Sequence, residues 1–144
     1  MKDSNATIFI VEDDSYYAEL VNSVLQSNNL KKTQVFHSGE EFLDRMEEQP
    51  DVVILDYQLG KMSGIHILKE IKERYPKTIV LFLSGQDQMQ IAVNALKLGA
   101  ADYINKSEHS AIGKIVSIIE KKLIEAANVR NNKTRRFREW FMIS

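Results

Sequence analysis

Acidic, hydroxyl and ammonium side chains stand directly after four short apolar runs of the sequence. These side chains belong to Glu12, Asp13, Asp14, Asp56, Ser84 and Lys106. If the apolar runs are parallel strands of one sheet, their carboxyl ends meet at one edge, because neighbouring strands lie only about 4.8 Å apart. We therefore expect these side chains to surround a common site.

Several carboxylates gathered at one edge repel one another, so the acids need a compensating cation. Oxygen ligands suit Mg²⁺ or Mn²⁺, which favour carboxylates together with phosphate oxygens. Beside such a cation, the Asp56 carboxylate could accept a phosphoryl group covalently. Lys106 would supply a positive charge for a phosphoryl oxygen, and the Ser84 hydroxyl would supply a hydrogen bond.

Each of these residues also has an ordinary structural explanation when it is taken alone. Asp14 precedes a helical segment and suits an N-cap position. A lone Asp56 would be a loop residue, Ser84 a turn residue and Lys106 a solvated surface charge. Their combination at matching strand ends favours the joint functional interpretation.

The order of apolar runs and helical segments predicts an α/β fold. Strands are expected at residues 6–11, 33–36, 51–56, 78–83 and 101–104, and helices at 15–28, 38–49, 64–75 and 88–98. A last helix, for which Ser107 and Ser110 are both candidate caps, runs through Leu123. Ser38 opens the second helix with a capping box, and Gly99 suits the left-handed position after the fourth. The pattern predicts a five-stranded parallel sheet with helices on both faces.

Composition excludes several classes of protein. The 144 residues include 44% hydrophobic and 27% charged residues, which is ordinary for a globular domain. The chain has no cysteine, which excludes thiolate catalysis and thiolate zinc sites. Neither a signal peptide nor a membrane-spanning run is recognisable, so we expect a cytoplasmic protein with no membrane partner.

Four motifs in combination resemble the receiver domains of bacterial two-component response regulators. They are Ile-Phe-Ile-Val-Glu12-Asp13-Asp14, Val-Val-Ile-Leu-Asp56-Tyr-Gln-Leu-Gly-Lys-Met-Ser-Gly64, Leu-Phe-Leu-Ser84-Gly85 and Gly99-Ala-Ala-Asp102-Tyr103-Ile-Asn-Lys106. The resemblance covers roughly residues 6–123. It implies a doubly wound, flavodoxin-like (βα)5 fold with strand order 2-1-3-4-5. It also implies that the protein is a phosphorylation switch in a phosphorelay. Such a protein is not an enzyme and shows at most slow self-dephosphorylation.

The resemblance also implies roles for the acids. Asp56 would be the phosphoacceptor. Glu12, Asp13, Asp56 and the main-chain carbonyl of Gln58 would form the site for Mg²⁺ or Mn²⁺.

Three further residues are implied in switching. Lys106 would contact the phosphoryl group, Ser84 would be the switch hydroxyl and Tyr103 the switch aromatic. A sensor histidine kinase or phosphotransfer protein would donate the phosphoryl group. The surface of the fourth helix, fifth strand and fifth helix would relay the change to a downstream protein or output domain, or would pair two copies of the chain.

The sequence departs from the family pattern at two positions. Gly60 stands where the family usually has proline, which predicts a more mobile loop, because proline fixes a backbone angle that glycine leaves free. Ser107 follows Lys106 where the family usually has proline after an often cis bond. Either the bond before Ser107 is trans or it carries the cost of a cis bond, about 3 kcal/mol.

The C-terminal part of the sequence differs from the rest. Seven basic residues lie between Lys121 and Arg138, against Glu125 alone, and Phe137, Trp140 and Phe141 share one helical stripe. We divide the chain into a receiver domain at 1–125 and a basic, aromatic helical extension or linker at 126–144. Docking of a partner, dimerisation, nucleic-acid contact and packing back on the body all stay open. The segment is too short for a helix-turn-helix, so DNA contact is not supported by this chain alone.

Two other functions fit parts of the pattern. A haloacid dehalogenase-type phosphatase uses a similar set but needs a second acid where this chain has Gln58. A phosphate-independent module of the same fold would not need Asp56, Ser84 and Lys106 together. The spacing of His37, His66 and His109 suits no metal site, and no glycine-rich nucleotide loop is present.

Overall fold

The computed structural model describes residues 4–143, in which five strands form one parallel sheet. The strands are β1 Ser4–Val11, β2 Leu30–Phe36, β3 Val52–Asp56, β4 Ile79–Ser84 and β5 Asp102–Asn105. They stand in the order β2-β1-β3-β4-β5, and each neighbouring pair is parallel. The predicted fold and strand order are confirmed.

Within residues 4–143, five α-helices connect and extend the strands. They are α1 Ser15–Ser27, α2 Gly39–Leu43, α3 Gly64–Arg74, α4 Met89–Lys97 and α5 Ala111–Ile143. A short antiparallel ribbon of Gln58–Leu59 and Met62–Ser63, which the sequence did not predict, lies between β3 and α3. Within the described residues, no helix combines the length and the apolar character needed to cross a bilayer.

The two faces of the sheet bury two separate apolar layers, as alternation along the strands requires. Phe9 and Val11 of β1 belong to a layer that also contains residues of α2, α3 and α4. Ile8 and Ile10 of β1 belong to the opposite layer, which contains residues of α1 and α5. The helices therefore cover both faces and leave the carboxyl edge of the sheet for polar side chains.

The extent predicted for the second helix is wrong. It was expected to run from Ser38 to the residue before Pro50, but α2 ends at Leu43, and a single 3-10 turn, Met46–Glu48, follows. Arg45 leaves the helical region with φ −122° and ψ 9°, and its guanidinium lies over the rings of Phe9 and Phe36. Phe42 and Met46 are both buried, so the broken segment still anchors to the core.

The start of α2 and the ends of α4 and α5 can be compared with the predicted caps. The Ser38 hydroxyl accepts the N–H of Glu41, although the Glu41 carboxylate bonds the N–H of His37 rather than that of Ser38. After α4, Gly99 takes φ +106°, and the paired bonds of a Schellman motif form there. Of the two candidate caps of α5, Ser110 directly precedes the helix, whereas the Ser107 hydroxyl bonds Asn105.

Candidate functional site

The candidate site residues meet at the carboxyl edge of the sheet, as their strand positions require. Asp56 ends β3, the central strand, and is paired in register with Leu83 of β4. Glu12 follows β1 on one side of β3, and Ser84 ends β4 on the other. The N–H of Lys106 donates to the carbonyl of Ser84 at 2.8 Å, which places the lysine beside the same edge.

Three carboxylates form the acidic part of the site. Oxygen atoms of Glu12, Asp13 and Asp56 all lie within 4.8 Å of one another. Glu12 and Asp56 are buried, with 0% and 5% exposure, whereas Asp13 is exposed to solvent. An all-oxygen set with one face open to water suits Mg²⁺, which keeps part of its hydration shell and prefers carboxylate ligands. The residues therefore fit a divalent cation.

Lys106 provides the positive charge at this site. Its Nζ lies 2.5 Å from Oε1 of Glu12 and 3.5 Å from Oδ1 of Asp56. The ammonium therefore offsets part of the charge of the two buried acids. It stands beside Asp56, where it could bond an oxygen of a group attached to that carboxylate.

Burial shifts the protonation of the two inner acids. The pKa of Glu12 is raised to about 8, chiefly by burial. The hydrogen bond from Lys106 lowers this pKa in part, and the charge of Asp56 raises it, and both effects are included in that value. Burial likewise raises the pKa of Asp56, against the lowering effect of Lys106. Burial alone would lower the pKa of Lys106, but the hydrogen bond to Glu12 and the charge of Asp56 raise it overall. A cation bound beside these two acids would favour their ionised forms.

The third consecutive acid has a structural role, as predicted. Oδ1 of Asp14 accepts the N–H groups of Tyr16 and Tyr17 at 3.0 and 3.2 Å, which makes it the N-cap of α1. The N–H of Asp14 itself donates to Oε2 of Glu12 at 3.3 Å. The cap thereby helps to orient one of the buried acids.

The switch candidates flank the site on the β4–β5 side. Ser84 is buried beside Asp56 at the end of β4. Tyr103 is half-buried in β5, and its hydroxyl lies 3.5 Å from Sδ of Met89 in the exposed first turn of α4. The two residues occupy neighbouring strands.

The two departures from the family pattern have clear geometry. Gly60 takes φ +68° in the tight turn between the strands of the short ribbon, which is a backbone angle that proline cannot adopt. Among the described residues every peptide bond is trans, including the one between Lys106 and Ser107. The mobility predicted for the Gly60 loop stays a prediction.

Sequence reasoning missed two contacts at the site. Gly64 lies so close to the main chain of β3 that an added Cβ would stand 2.2 Å from the carbonyl oxygen of Asp56. Nδ1 of the exposed His37 lies 3.3 Å from the carbonyl oxygen of Glu12, whereas its spacing had indicated only that it suits no metal site. The Gly64 in the quoted motif was a signal for the first contact, but nothing in the spacing of His37 indicated the second.

The sequence was compared with known protein families and proteins. The model of the family described as response regulator receiver domain matches residues 8–120. The chain is 35% identical over 99 residues to the DNA-binding transcriptional regulator NtrC of Klebsiella pneumoniae, covering 68% of this chain and 21% of NtrC. It is 30% identical over 118 residues to the response regulator protein TodT of Pseudomonas putida, covering 80% of this chain and 52% of TodT. The chain therefore spans between about a fifth and about half of the length of these relatives.

The fold was compared with solved structures. The receiver domain of DrrB in its BeF3-activated form, from a response regulator of Thermotoga maritima, superimposes with a TM-score of 0.74 at 30% identity. The match covers 82% of this chain and 97% of that domain. The likeness therefore extends over nearly the whole of an isolated receiver domain.

Proposed function

Because this chain belongs to the response regulator receiver domain family, we propose that Asp56 is the side chain on which it accepts a phosphoryl group. One observation carries this assignment. The Asp56 carboxylate ends the central strand within 4.8 Å of carboxylate oxygens of Glu12 and Asp13, and 3.5 Å from the ammonium of Lys106. That arrangement supports a nucleophile with a cation site on one side and a fixed positive charge on the other.

Glu12, Asp13 and Asp56, together with the main-chain carbonyl of Gln58, would hold Mg²⁺ or Mn²⁺. The bound cation would offset the repulsion between the acids and an incoming phosphoryl group. Asp56 then attacks the phosphorus atom, and the bond to the leaving group breaks. Lys106 and the Ser84 hydroxyl donate hydrogen bonds to the oxygens of the transferred group.

The charge of the phosphoryl group would bias the conformation of the neighbouring strands. Ser84 turns toward a phosphoryl oxygen, and Tyr103 moves into the space that it leaves. The surface formed by α4, β5 and α5 changes with it and binds a downstream partner or output domain, or a second copy of the chain. Phosphorylation selects between two states of the molecule, so its effect is limited by its differential contacts with them.

The donor would be the phosphohistidine of a sensor kinase or phosphotransfer protein in the cytoplasm, and the aspartyl phosphate would be lost slowly by hydrolysis. Residues 126–143 would form an extension of the receiver domain rather than a second domain. This division is supported by the unbroken course of α5 and by the exposure of residues 128–142.

Replacement of Asp56 tests the assignment directly. The Asp56→Asn variant is incubated with acetyl phosphate and Mg²⁺ and examined by phosphate-affinity electrophoresis beside the unmodified sequence. The matched control is Asp44→Asn, which removes an exposed carboxylate outside the site. We expect phosphorylation of the parent protein and the control but none of Asp56→Asn. A phosphorylated Asp56→Asn protein would show that another side chain is the acceptor.

A further inference from the structure

Lys106 has a third neighbour besides the two acids. Its Nζ lies 4.6 Å from the centre of the Tyr17 ring, in the first turns of α1. An ammonium within about 6 Å of an aromatic ring centre is attracted by the negative face of the ring. The lysine head is therefore held between two carboxylates and one aromatic ring.

The Tyr17 ring is fixed by packing rather than by its hydroxyl group. Tyr17 is half-buried against the apolar layer that contains α1 and α5. Its hydroxyl oxygen is buried and has no hydrogen-bond partner among the described residues. A buried hydroxyl without a partner destabilises the folded state, so the part of Tyr17 that serves the site is the ring.

The contact between Lys106 and Tyr17 should matter most when a divalent cation occupies the site. Glu12 provides the shortest contact of Lys106, at 2.5 Å, and is also one of the carboxylates that would serve the cation. A cation on Glu12 would therefore compete with Lys106 for that carboxylate. The face of the Tyr17 ring is not a ligand for an oxygen-preferring cation, so this contact would not be drawn away in the same manner.

We propose that Tyr17 is a positioning residue that keeps the Lys106 ammonium beside Asp56 while Glu12 is engaged by the divalent cation. The inference rests on the phosphoacceptor function proposed above. In the metal-free protein Glu12, Asp56 and Tyr17 share the lysine. With the cation bound, Tyr17 retains it until a phosphoryl oxygen becomes its partner.

Nuclear magnetic resonance of the metal-free protein tests the contact without any phosphorylation. The ring current of Tyr17 should shift the resonances of the Lys106 ε-methylene protons upfield, and these resonances can be assigned by their loss in Lys106→Met. We expect the shift to persist in Tyr17→Phe and to disappear in Tyr17→Leu. The neighbouring Tyr16→Leu, which removes a ring that is 75% exposed, serves as the control and keeps the shift. An unshifted Lys106 resonance in the parent protein would overturn the proposal.

Binding of beryllofluoride with Mg²⁺ tests the role in the site. We expect Tyr17→Leu to weaken this binding about fivefold, since it removes the cation–π contact with Lys106, and Tyr17→Phe to restore it. In a Lys106→Met background, Tyr17→Leu should cause no further loss. An equal loss in both backgrounds, or a Tyr17→Phe variant as weak as Tyr17→Leu, would contradict a role through the lysine.

Two controls keep the result unambiguous. Circular dichroism checks folding, and Tyr17→Met replaces Tyr17→Leu if the leucine variant does not fold. If the parent protein binds no beryllofluoride, the proposed phosphoacceptor function fails, while the resonance of Lys106 still decides whether Tyr17 holds the lysine. If the parent protein binds and Tyr17→Leu binds equally well, the positioning role alone fails.

Discussion

The ammonium of Lys106 lies closer to Glu12 than to Asp56, at 2.5 Å against 3.5 Å. The lysine therefore pairs most tightly with an acid that is expected to bind the cation and less tightly with the proposed phosphoacceptor. Lys106 offsets part of the charge of Glu12, as a bound cation would. Binding of a divalent cation to Glu12 should therefore be coupled to release of the lysine, because both would compete for that carboxylate.

The raised pKa of Glu12 predicts that the metal-free protein loses stability as the pH rises. Its folded pKa is about 8, above the ordinary value of 4.5, so the folded state binds the proton more tightly than the unfolded chain does. This stabilising contribution is complete below about pH 4.5 and disappears as the pH rises through about 8. We expect the urea midpoint in the presence of a chelator to be lower at pH 9 than at pH 6.

Mg²⁺ and a neutral side chain provide the controls for this pH dependence. Mg²⁺ should raise the urea midpoint at pH 9 more than at pH 6, because the cation binds the ionised carboxylate. The Glu12→Gln variant should show a smaller pH dependence between these two values, measured in the same titrations. A pH dependence that is unchanged in Glu12→Gln would assign the effect to other groups.

The close approach of α3 to β3 predicts that Gly64→Ala is strongly destabilising. The new Cβ would stand 2.2 Å from the carbonyl oxygen of Asp56 and 2.9 Å from Cα of Tyr57, and both are main-chain atoms that cannot rotate away. We expect a loss of about 2 kcal/mol or more in the free energy of unfolding and weaker Mg²⁺ binding.

Gly113→Ala is the matched control, because nothing lies within 4 Å of its added Cβ and it sits inside α5. It should stabilise the protein by about 0.5–1 kcal/mol. Both values follow from urea denaturation, and equal effects of the two substitutions would contradict the packing seen at Gly64.

The turn at Gly60 predicts that the proline usual in the family would be harmful in this chain. Gly60 has φ +68°, whereas proline requires about −65°. Gly60→Pro should therefore reduce the free energy of unfolding by about 1–3 kcal/mol, as strained backbone positions do. Gly60→Asn, which tolerates the left-handed region, should cost less than half as much. A proline variant as stable as the parent would mean that the ribbon has an alternative turn.

The cap formed by Asp14 predicts a separation between stability and cation binding. Asp14→Ala should cost about 1 kcal/mol of stability, because two N–H groups of α1 lose their acceptor. Asp14→Asn keeps an acceptor oxygen but removes the charge, and should retain most of the stability. If Mg²⁺ affinity, measured by calorimetry, falls more than tenfold in Asp14→Asn, the residue belongs to the cation site and not only to the helix.

The sequence predicted the sheet and the position of the site because the relevant signals are local. Continuous apolar runs identify β3 and β4, and the residues at their ends are brought together by the parallel arrangement itself. The extent of α2 was not predictable in this way, since the break at Arg45 accompanies contacts with Phe9 and Phe36, which are distant in the sequence.

The partner that Lys106 prefers within the site also could not be predicted from the sequence. A lysine next to two acids could bond either, and the preference for Glu12 depends on burial and on the exact course of the chain after β5. Nothing in the spacing singled out Tyr17 within the first predicted helix, and the contact of its ring with Lys106 is a product of packing between α1 and its neighbours. Spacing identifies which residues meet, but not which partner each of them prefers.

Helix α5 continues without a break beyond the part of it that packs on the receiver domain. From Leu123, which packs on the body, to the exposed Trp140 the helix spans about 25 Å at 1.5 Å per residue. A tilt of about 5° at the root of such a stiff rod displaces its far end by about 2 Å. If a small rearrangement near the carboxyl edge of the sheet tilts α5, the displacement of Trp140 would thus be larger than the displacement at Leu123, without any change within the helix.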